Sequence, residues 1–474
     1  MDKKAIHTAV QDKAKLICDL SDRIWEYAEI SMQEYQSTAD YLQVLKAEGF
    51  RVAENLCGIP TAFSGSYGSG KPVIGILGEY DALSGLSQKA CAAAKSPLVP
   101  GGNGHGCGHN LLGAASLGAA IAIKEQIQAG NLNGTVVFYG CPGEEGCAGK
   151  TFMARDGMFR DLDAALCWHP GDTNEVTVTS SAACLQLEYT FTGLAAHAAG
   201  DPEHGRSALD GAELMNIGVQ FLREHMSKKC SVHYSFVDAG GVSPNVVQPT
   251  AKMLYMVRSD TVKNAKALLA RVDDIAKGAA LMSGTQVSCR QIDGTANTVS
   301  NHVLEQLIYE NLQQAPLPVY TQDEMDYAAS LRQTYDCSQL PGERTGEDVA
   351  VRDYVIKHTG NGKKPINDFV IPYAPSMASS PGSTDVGDVS WLTPTAQFTA
   401  VTWASCSPGH SWQNVATGRH SIAHKGIILA AQVLAGTAAD LMTQPELLKK
   451  ARAEFNLATA DGYDCPIGKE VIPC

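Results

Sequence analysis

Thr135-Val136-Val137-Phe138-Tyr139-Gly140-Cys141-Pro142-Gly143-Glu144-Glu145-Gly146 decides the fold. Its first five residues are a β-branched and aromatic run, which reads as a strand buried on both faces. The run breaks at Pro142-Gly143 and delivers two adjacent carboxylates. Working outward, Pro72–Leu77 is a second such run, ending in Gly78-Glu79-Tyr80-Asp81. Ala164–Trp168 is a third, ending in His169-Pro170. A Gly-rich loop, Pro100–Gly108, precedes an Ala/Leu/Ile helix from about Asn110 to Gln128, and another helix follows Glu145. Apolar strands alternating with helices predict an α/β fold: a mostly parallel sheet covered by helices.

The flanking segments extend this frame. Residues 1–48 read as helix, with Ile17, Leu20, Ile24 and Tyr27 at three- and four-residue steps. From Leu185 the texture changes. Strand Leu185–Thr192, helix Gly205–Met226, strands Ser231–Val237 and Lys252–Val257, helix Val262–Met282 and strand Gln286–Arg290 give the order βαββαβ. That order is the ferredoxin-like split unit. The expected organisation is therefore a catalytic domain in two parts, 1–184 and 298–474, with a smaller α+β domain inserted at 185–297. Residues 316–380 show no ordered pattern, and Ser421–Leu441 is an Ala-rich helix.

Composition bounds the function. The chain has 474 residues, 44% hydrophobic and 18% charged, an ordinary globular balance. Its formal charge of −13 repels phosphate backbones, so no nucleic acid partner is expected. The 14 cysteines are scattered singly, without a Cys-x-x-Cys pair, and read as reduced and mostly buried. The N-terminus lacks an apolar signal core. The longest near-apolar stretch, Leu111–Ile123, is too short to span ~30 Å of hydrocarbon. A cytoplasmic protein with no membrane association is the expectation.

Cys107, His109, Glu144, Glu145 and His169 all fall at strand ends or in the Gly-rich loop that opens a helix, and ligands of open α/β sheets gather at the carboxyl ends of strands. Thiolate, imidazole and carboxylate together suit zinc, with manganese or cobalt as alternatives. Taken singly, each signal is weak. A Cys-x-His is usually a buried thiol beside a hydrogen-bonded histidine, and a Glu-Glu pair is usually a solvated turn. Together they predict a metal site, with one glutamate as ligand and its neighbour free to act as general base. Gly143–Thr151 is not a phosphate loop, because Glu144 stands where its first glycine is required. Cys107 as a nucleophile beside His109 is the surviving metal-free alternative, although it leaves the double glutamate unexplained.

Gly106-Cys107-Gly108-His109-Asn110, Pro142–Gly146, Gly193-Leu194-Ala195-Ala196-His197-Ala198 and Gly240-Gly241-Val242-Ser243-Pro244-Asn245 occur in that order. With Gly78–Leu83, Ser383–Trp391 and Ser421–Gly426, the series resembles the dinuclear metallopeptidase family of aminoacylases and carboxypeptidase G over nearly the whole chain. It is most similar to the N-acyl amino acid amidohydrolase branch, in which cysteine replaces the bridging aspartate. The resemblance implies two divalent ions (Mn²⁺ or Zn²⁺) per subunit, with Cys107 bridging them and His109, Glu145, His169 and His410 completing the ligands. Glu144 would be the general base. His197, from the small domain, would reach across a homodimer to the oxyanion, and Asn245 and Arg258 would hold the substrate carboxylate. His410 enters by resemblance alone.

The chain departs from the family at one place. Many relatives carry His-x-Asp after the first strand, and the histidine supplies a ligand. Here the sequence is Glu79-Tyr80-Asp81. Asp81 is expected to orient an imidazole, and one tight and one loose ion stays an open outcome. The implied activity is hydrolysis of an N-acyl or aroyl amino acid, p-aminobenzoyl-glutamate fitting well. A dipeptidase or aminopeptidase of the same family, a non-catalytic metal-dependent binding subunit, and a heteromer with a paralogous subunit stand as alternatives.

Overall fold

The structure, a computed structural model, describes residues 3–337, 340 and 348–473. Its backbone separates into two units. The first lies within Met1–Ser180, Val299–Ala378 and Val389–Gly462, the second within Ser181–Thr298, Ser379–Asp388 and Tyr463–Cys474. The strands, in chain order, are β1 (Arg51–Glu54), β2 (Phe63–Ser69), β3 (Val73–Gly78), β4 (Gly134–Gly140), β5 (Ala164–Gly171), β6 (Glu175–Val176), β7 (Ala183–Thr192), β8 (Ser231–Asp238), β9 (Thr250–Ser259), β10 (Gln286–Thr295) and β11 (Thr395–Val401).

The first unit holds a seven-stranded sheet ordered β1-β2-β4-β3-β5-β11-β6. Its centre, β4-β3-β5-β11, is parallel, and antiparallel pairings close both edges. Every residue of β4 is buried, as an apolar run without alternation requires. The helix His109–Gln128 is apolar on nearly all sides because it packs between this sheet and the helix Ser421–Thr443. Among the described residues, Ser421–Thr443, not Leu111–Ile123, is the helix long and apolar enough to cross a membrane, yet 89% of its apolar window is buried inside the fold.

Residues 1–48 form three helices rather than one: Lys3–Asp12, Ala14–Tyr27 and Tyr35–Ala47. The breaks fall at Lys13 and at Ala28, whose φ of 44° ends the second helix. The loop that follows folds back toward the end of β3, where Glu29 O accepts from the Ala82 N–H at 2.7 Å. In the stretch left unordered by the sequence, helices Gln322–Arg332 and Val349–His358 are present, the first opened by a Thr321/Glu324 capping box. Positions 338, 339 and 341–347 of that stretch lie outside the described residues.

In the second unit the order is β7, helix Ala208–Arg223, β8, β9, helix Val262–Ser283, β10, and the antiparallel sheet runs β10-β7-β9-β8. β9 alternates buried and half-buried residues, the period-two signature of a sheet with one covered face. The unit also takes in 379–388 and 463–474, which the sequence leaves in the other domain. Long-range hydrogen bonds hold them there. The Ala296 N–H donates to Asp388 at 3.0 Å, the Tyr463 hydroxyl donates to Asp388 at 2.6 Å, and Gln291 donates to Pro466 O at 2.9 Å. No local pattern announces such contacts.

Candidate metal centre and active site

β3, β4 and β5 run parallel, so their carboxyl ends share one edge of the sheet. Glu79 and Asp81 follow β3, Glu144 and Glu145 follow β4, and His169 sits in the last residues of β5. Cys107 and His109 arrive on the start of the helix His109–Gln128. Gly108 caps that helix at φ 82°, where a Cβ would lie 3.0 Å from side-chain carbons of Pro170 and Trp403. Only glycine lets the helix end come this close. His410, at φ 51°, follows β11 in the loop that leads to the helix Trp412–Thr417.

These side chains meet. Cys107 Sγ is 3.4 Å from His169 Nε2, and His410 Nε2 is 3.5 Å from Glu145 Oε2. Cys107, His109 and His169 offer ligand atoms all within 4.8 Å of one another, and so do Cys107, Glu145 and His410. The two groups share Cys107. Glu144 groups in the same way with Glu79 and His109.

Both buried imidazoles are oriented through Nδ1. His109 Nδ1 is 2.8 Å from Asp81 Oδ1, and His169 Nδ1 donates to Pro170 O at 2.8 Å. Each ring therefore turns Nε2 toward the thiol, as metal-ligating histidines do. Asp81 also accepts from the Ser31 hydroxyl at 2.7 Å and from the Glu145 N–H at 3.0 Å. Burial would raise the Asp81 carboxyl, but these partners hold it down at about 2. Burial pushes the Cys107 thiol up and lowers His169 to about 4. Burial also opposes charge on His109, yet Cys107 and Asp81 push its pKa well above the ordinary value.

Two buried atoms expose what this donor set lacks. Among the described residues, His109 Nε2 and Glu145 Oε1 have no hydrogen-bond partner. Orphaned donor atoms facing a thiol and two carboxylates are explained by cations between them. The residues fit a pair of divalent ions.

In the second unit, His197 and Asn245 are neighbours: the Ala198 N–H donates to Asn245 O at 2.9 Å, and His197 bridges Val246. Backbone N–H groups of Ala199 and Gly200 both donate to His197 Nδ1, at 3.2 and 3.0 Å. The ring proton then sits on Nε2, an N–H donor on an exposed ring. Arg258 lies in β9 opposite Cys184 and Ser231, half-buried, and its Nε is buried without a hydrogen-bond partner.

The sequence profile of peptidase family M20/M25/M40 matches residues 75–330. The chain belongs to that family. It is 42% identical to a p-aminobenzoyl-glutamate hydrolase subunit of Escherichia coli over 99% of this chain and 98% of that protein. It is 25% identical to the Xaa-Arg dipeptidase of Mus musculus, over 96% and 92% of the two chains. A Bacillus subtilis structure described as a dinuclear metal-binding peptidase of the M20 family superposes at TM-score 0.56 and 19% identity, covering 93% of this chain and 99% of that one. This M20 chain is a hydrolase acting on amide bonds.

Sequence reasoning missed two residues at the centre. Glu79 Oε2 lies 3.2 Å from His109 Nε2, and Glu79 Oε1 pairs with Lys150 Nζ at 2.7 Å. A carboxylate directly after a parallel strand was the available signal for Glu79; Lys150 was hidden inside the rejected phosphate-loop motif. Ser31 and Glu34 were also unannounced. Glu34 accepts from the Gly143 N–H at 2.8 Å, fixing the turn that carries Glu144. The disulfide between Cys337 and Cys406 corrects the expectation of reduced cysteines, since 69 residues separate the pair in sequence.

Proposed function

We propose that this M20 hydrolase cleaves the amide between an acyl group and an amino acid that keeps a free carboxylate. The observation that carries this reading is the pair of donor groups joined at Cys107, with Glu144 beside His109. The name of the Escherichia coli relative makes p-aminobenzoyl-glutamate the favoured substrate, split to p-aminobenzoate and glutamate.

Cys107, His109 and His169 would hold one divalent ion, and Cys107, Glu145 and His410 the other, zinc or manganese by donor type. When bound, the ions supply Lewis acidity to the scissile carbonyl and an acidified water. Glu144 would act as general base toward the attacking water and pass the proton to the departing amine. Asp81 keeps the His109 proton on Nδ1. His197, with its Nε2–H free, donates to the oxyanion of a partner subunit's site. Arg258 and Asn245 would anchor the substrate carboxylate, which would give Arg258 Nε the partner it lacks among the described residues.

A homodimer through the small domain is supported by β8, an edge strand whose Tyr234, Phe236 and Val237 are exposed. A heteromer remains the alternative: the Escherichia coli relative is named as one subunit of its enzyme, and a second, separately named subunit of that enzyme is 29% identical over 39% of this chain. Cytoplasmic location accompanies this metabolic role.

Turnover of p-aminobenzoyl-glutamate by zinc- or manganese-loaded protein, compared with unblocked dipeptides ending in arginine, tests the reading. Faster cleavage of the dipeptides replaces it with the dipeptidase reading that the mouse relative favours. Failure on every acyl amino acid and dipeptide would favour a binding subunit. Activity that survives chelation but not thiol alkylation would favour Cys107 as nucleophile.

A further inference from the structure

We propose that Glu79 is an additional ligand of the cation that His109 holds, and that Lys150 positions it. This rests on the two-cation reading above and deepens it. By the resemblance, Glu79 stands where many relatives place the histidine of His-x-Asp, so the departure in the sequence would exchange a ligand instead of deleting one.

The carboxylate is split between two jobs. Oε1 pairs with Lys150 Nζ at 2.7 Å, while Oε2 reaches to 3.2 Å from His109 Nε2. That nitrogen makes no hydrogen bond, and its ring is already tied through Nδ1 to Asp81. With Nδ1 tied to Asp81, a neutral His109 ring presents its Nε2 lone pair to this carboxylate, so a cation between the two atoms fits the contact. Ligands bound to one ion at about 2.0–2.2 Å stand roughly 3–3.5 Å apart, and 3.2 Å falls in that span. Glu79 also groups with Glu144, within 4.8 Å, so it enters on the side of the general base.

Charge supports the same assignment. The side chains of Glu79 and Lys150 are 2% and 0% exposed, and an isolated buried ion pair adds little stability. Replacing a neutral imidazole by a carboxylate would add a negative charge to a centre that already holds Cys107, Asp81 and Glu145. Lys150 cancels that charge. A ligating carboxylate braced by a hydrogen-bond donor is the usual arrangement around a bound metal.

The test is Zn²⁺ binding to the full chain, by equilibrium dialysis with metal analysis, in wild type, Glu79→Gln, and Glu79→Gln with Lys150→Met. The double variant removes both charges and guards against misfolding from an uncompensated buried ammonium. Two ions per wild-type chain are expected, with affinity for one of them falling about 10- to 100-fold in both variants. Glu79→His with Lys150→Met, which installs the family's imidazole, should restore that affinity. Equal affinity for two ions in every variant, with only the melting temperature lowered, makes the pair a structural ion pair and overturns this inference alone. A wild-type chain that takes up no Zn²⁺ overturns the two-cation reading along with it.

Discussion

Asp81→Asn removes a charge without changing side-chain bulk, and the structure sets its cost. Asp81 Oδ1 serves His109 Nδ1 at 2.8 Å, while Oδ2 accepts from Ser31 Oγ at 2.7 Å and the Glu145 N–H at 3.0 Å. An amide has one acceptor oxygen. If its nitrogen replaces Oδ2, the Ser31 hydroxyl can rotate to accept, but the Glu145 N–H faces another donor. If the nitrogen replaces Oδ1, either His109 Nδ1–H clashes or the ring proton moves to Nε2, the atom aimed at the cation. Either a buried donor loses its acceptor, at about 1–3 kcal/mol, or His109 loses the Nε2 lone pair that a cation needs. That corresponds to roughly a 10- to 100-fold loss of Zn²⁺ affinity. The native carboxyl is held below its ordinary 3.8 at about 2, so the charge contributes stability above pH 3.8 and loses it as pH falls toward 2. The gap between wild type and variant should thus be full near neutral pH and shrink in acid. Zn²⁺ competition with a chromophoric chelator and urea melts of the metal-free chain measure both effects. Unchanged Zn²⁺ affinity near neutrality would refute the claim that Asp81 orients the metal ligands.

Three other perturbations separate the roles. Glu144→Gln should lower kcat about 10²- to 10⁴-fold with both ions retained, read by kinetics beside metal analysis, because the base is lost and the ligands are kept. Arg258→Ala should lower kcat/KM about 10- to 100-fold for a substrate with a free carboxylate and spare its amidated analogue. Asp293, buried near Asp385, is raised to about 7 by burial and by that neighbour's charge. A raised carboxyl favours folding below its ordinary 3.8 and opposes it as pH climbs toward 7, so Asp293→Asn should raise the melting temperature in alkaline buffer and not at pH below 3.8.

Much of the centre was legible because its residues follow strands. Glu144, Glu145 and His169 each end an apolar run, and Cys107 and His109 sit in a glycine loop that opens a helix. His410 gave no periodic or spacing signal. It comes from a loop with left-handed backbone, and only the family motif pointed to it. Glu79 gives no ligand signal because the resemblance points to an imidazole at that position, and Lys150 gives none because buried lysines are rare and its partner lies far away in sequence. The parallel centre of the sheet could be read from unbroken apolar runs, whereas β1 and β2 could not: β1 is a four-residue edge strand with mostly exposed residues, and β2 carries Gly and Ser in place of an apolar run. Segments 379–388 and 463–474 join the second unit through long-range hydrogen bonds, which leave no trace in local sequence.

Anomalous diffraction from crystals of zinc-loaded protein tests the central claim most directly. Two peaks within bonding distance of Cys107 Sγ, one beside His109 and His169 and the other beside Glu145 and His410, are the expected result. A single peak that avoids Cys107, or zinc held only at the exposed Asp201, Glu203 and His204 cluster, would contradict it.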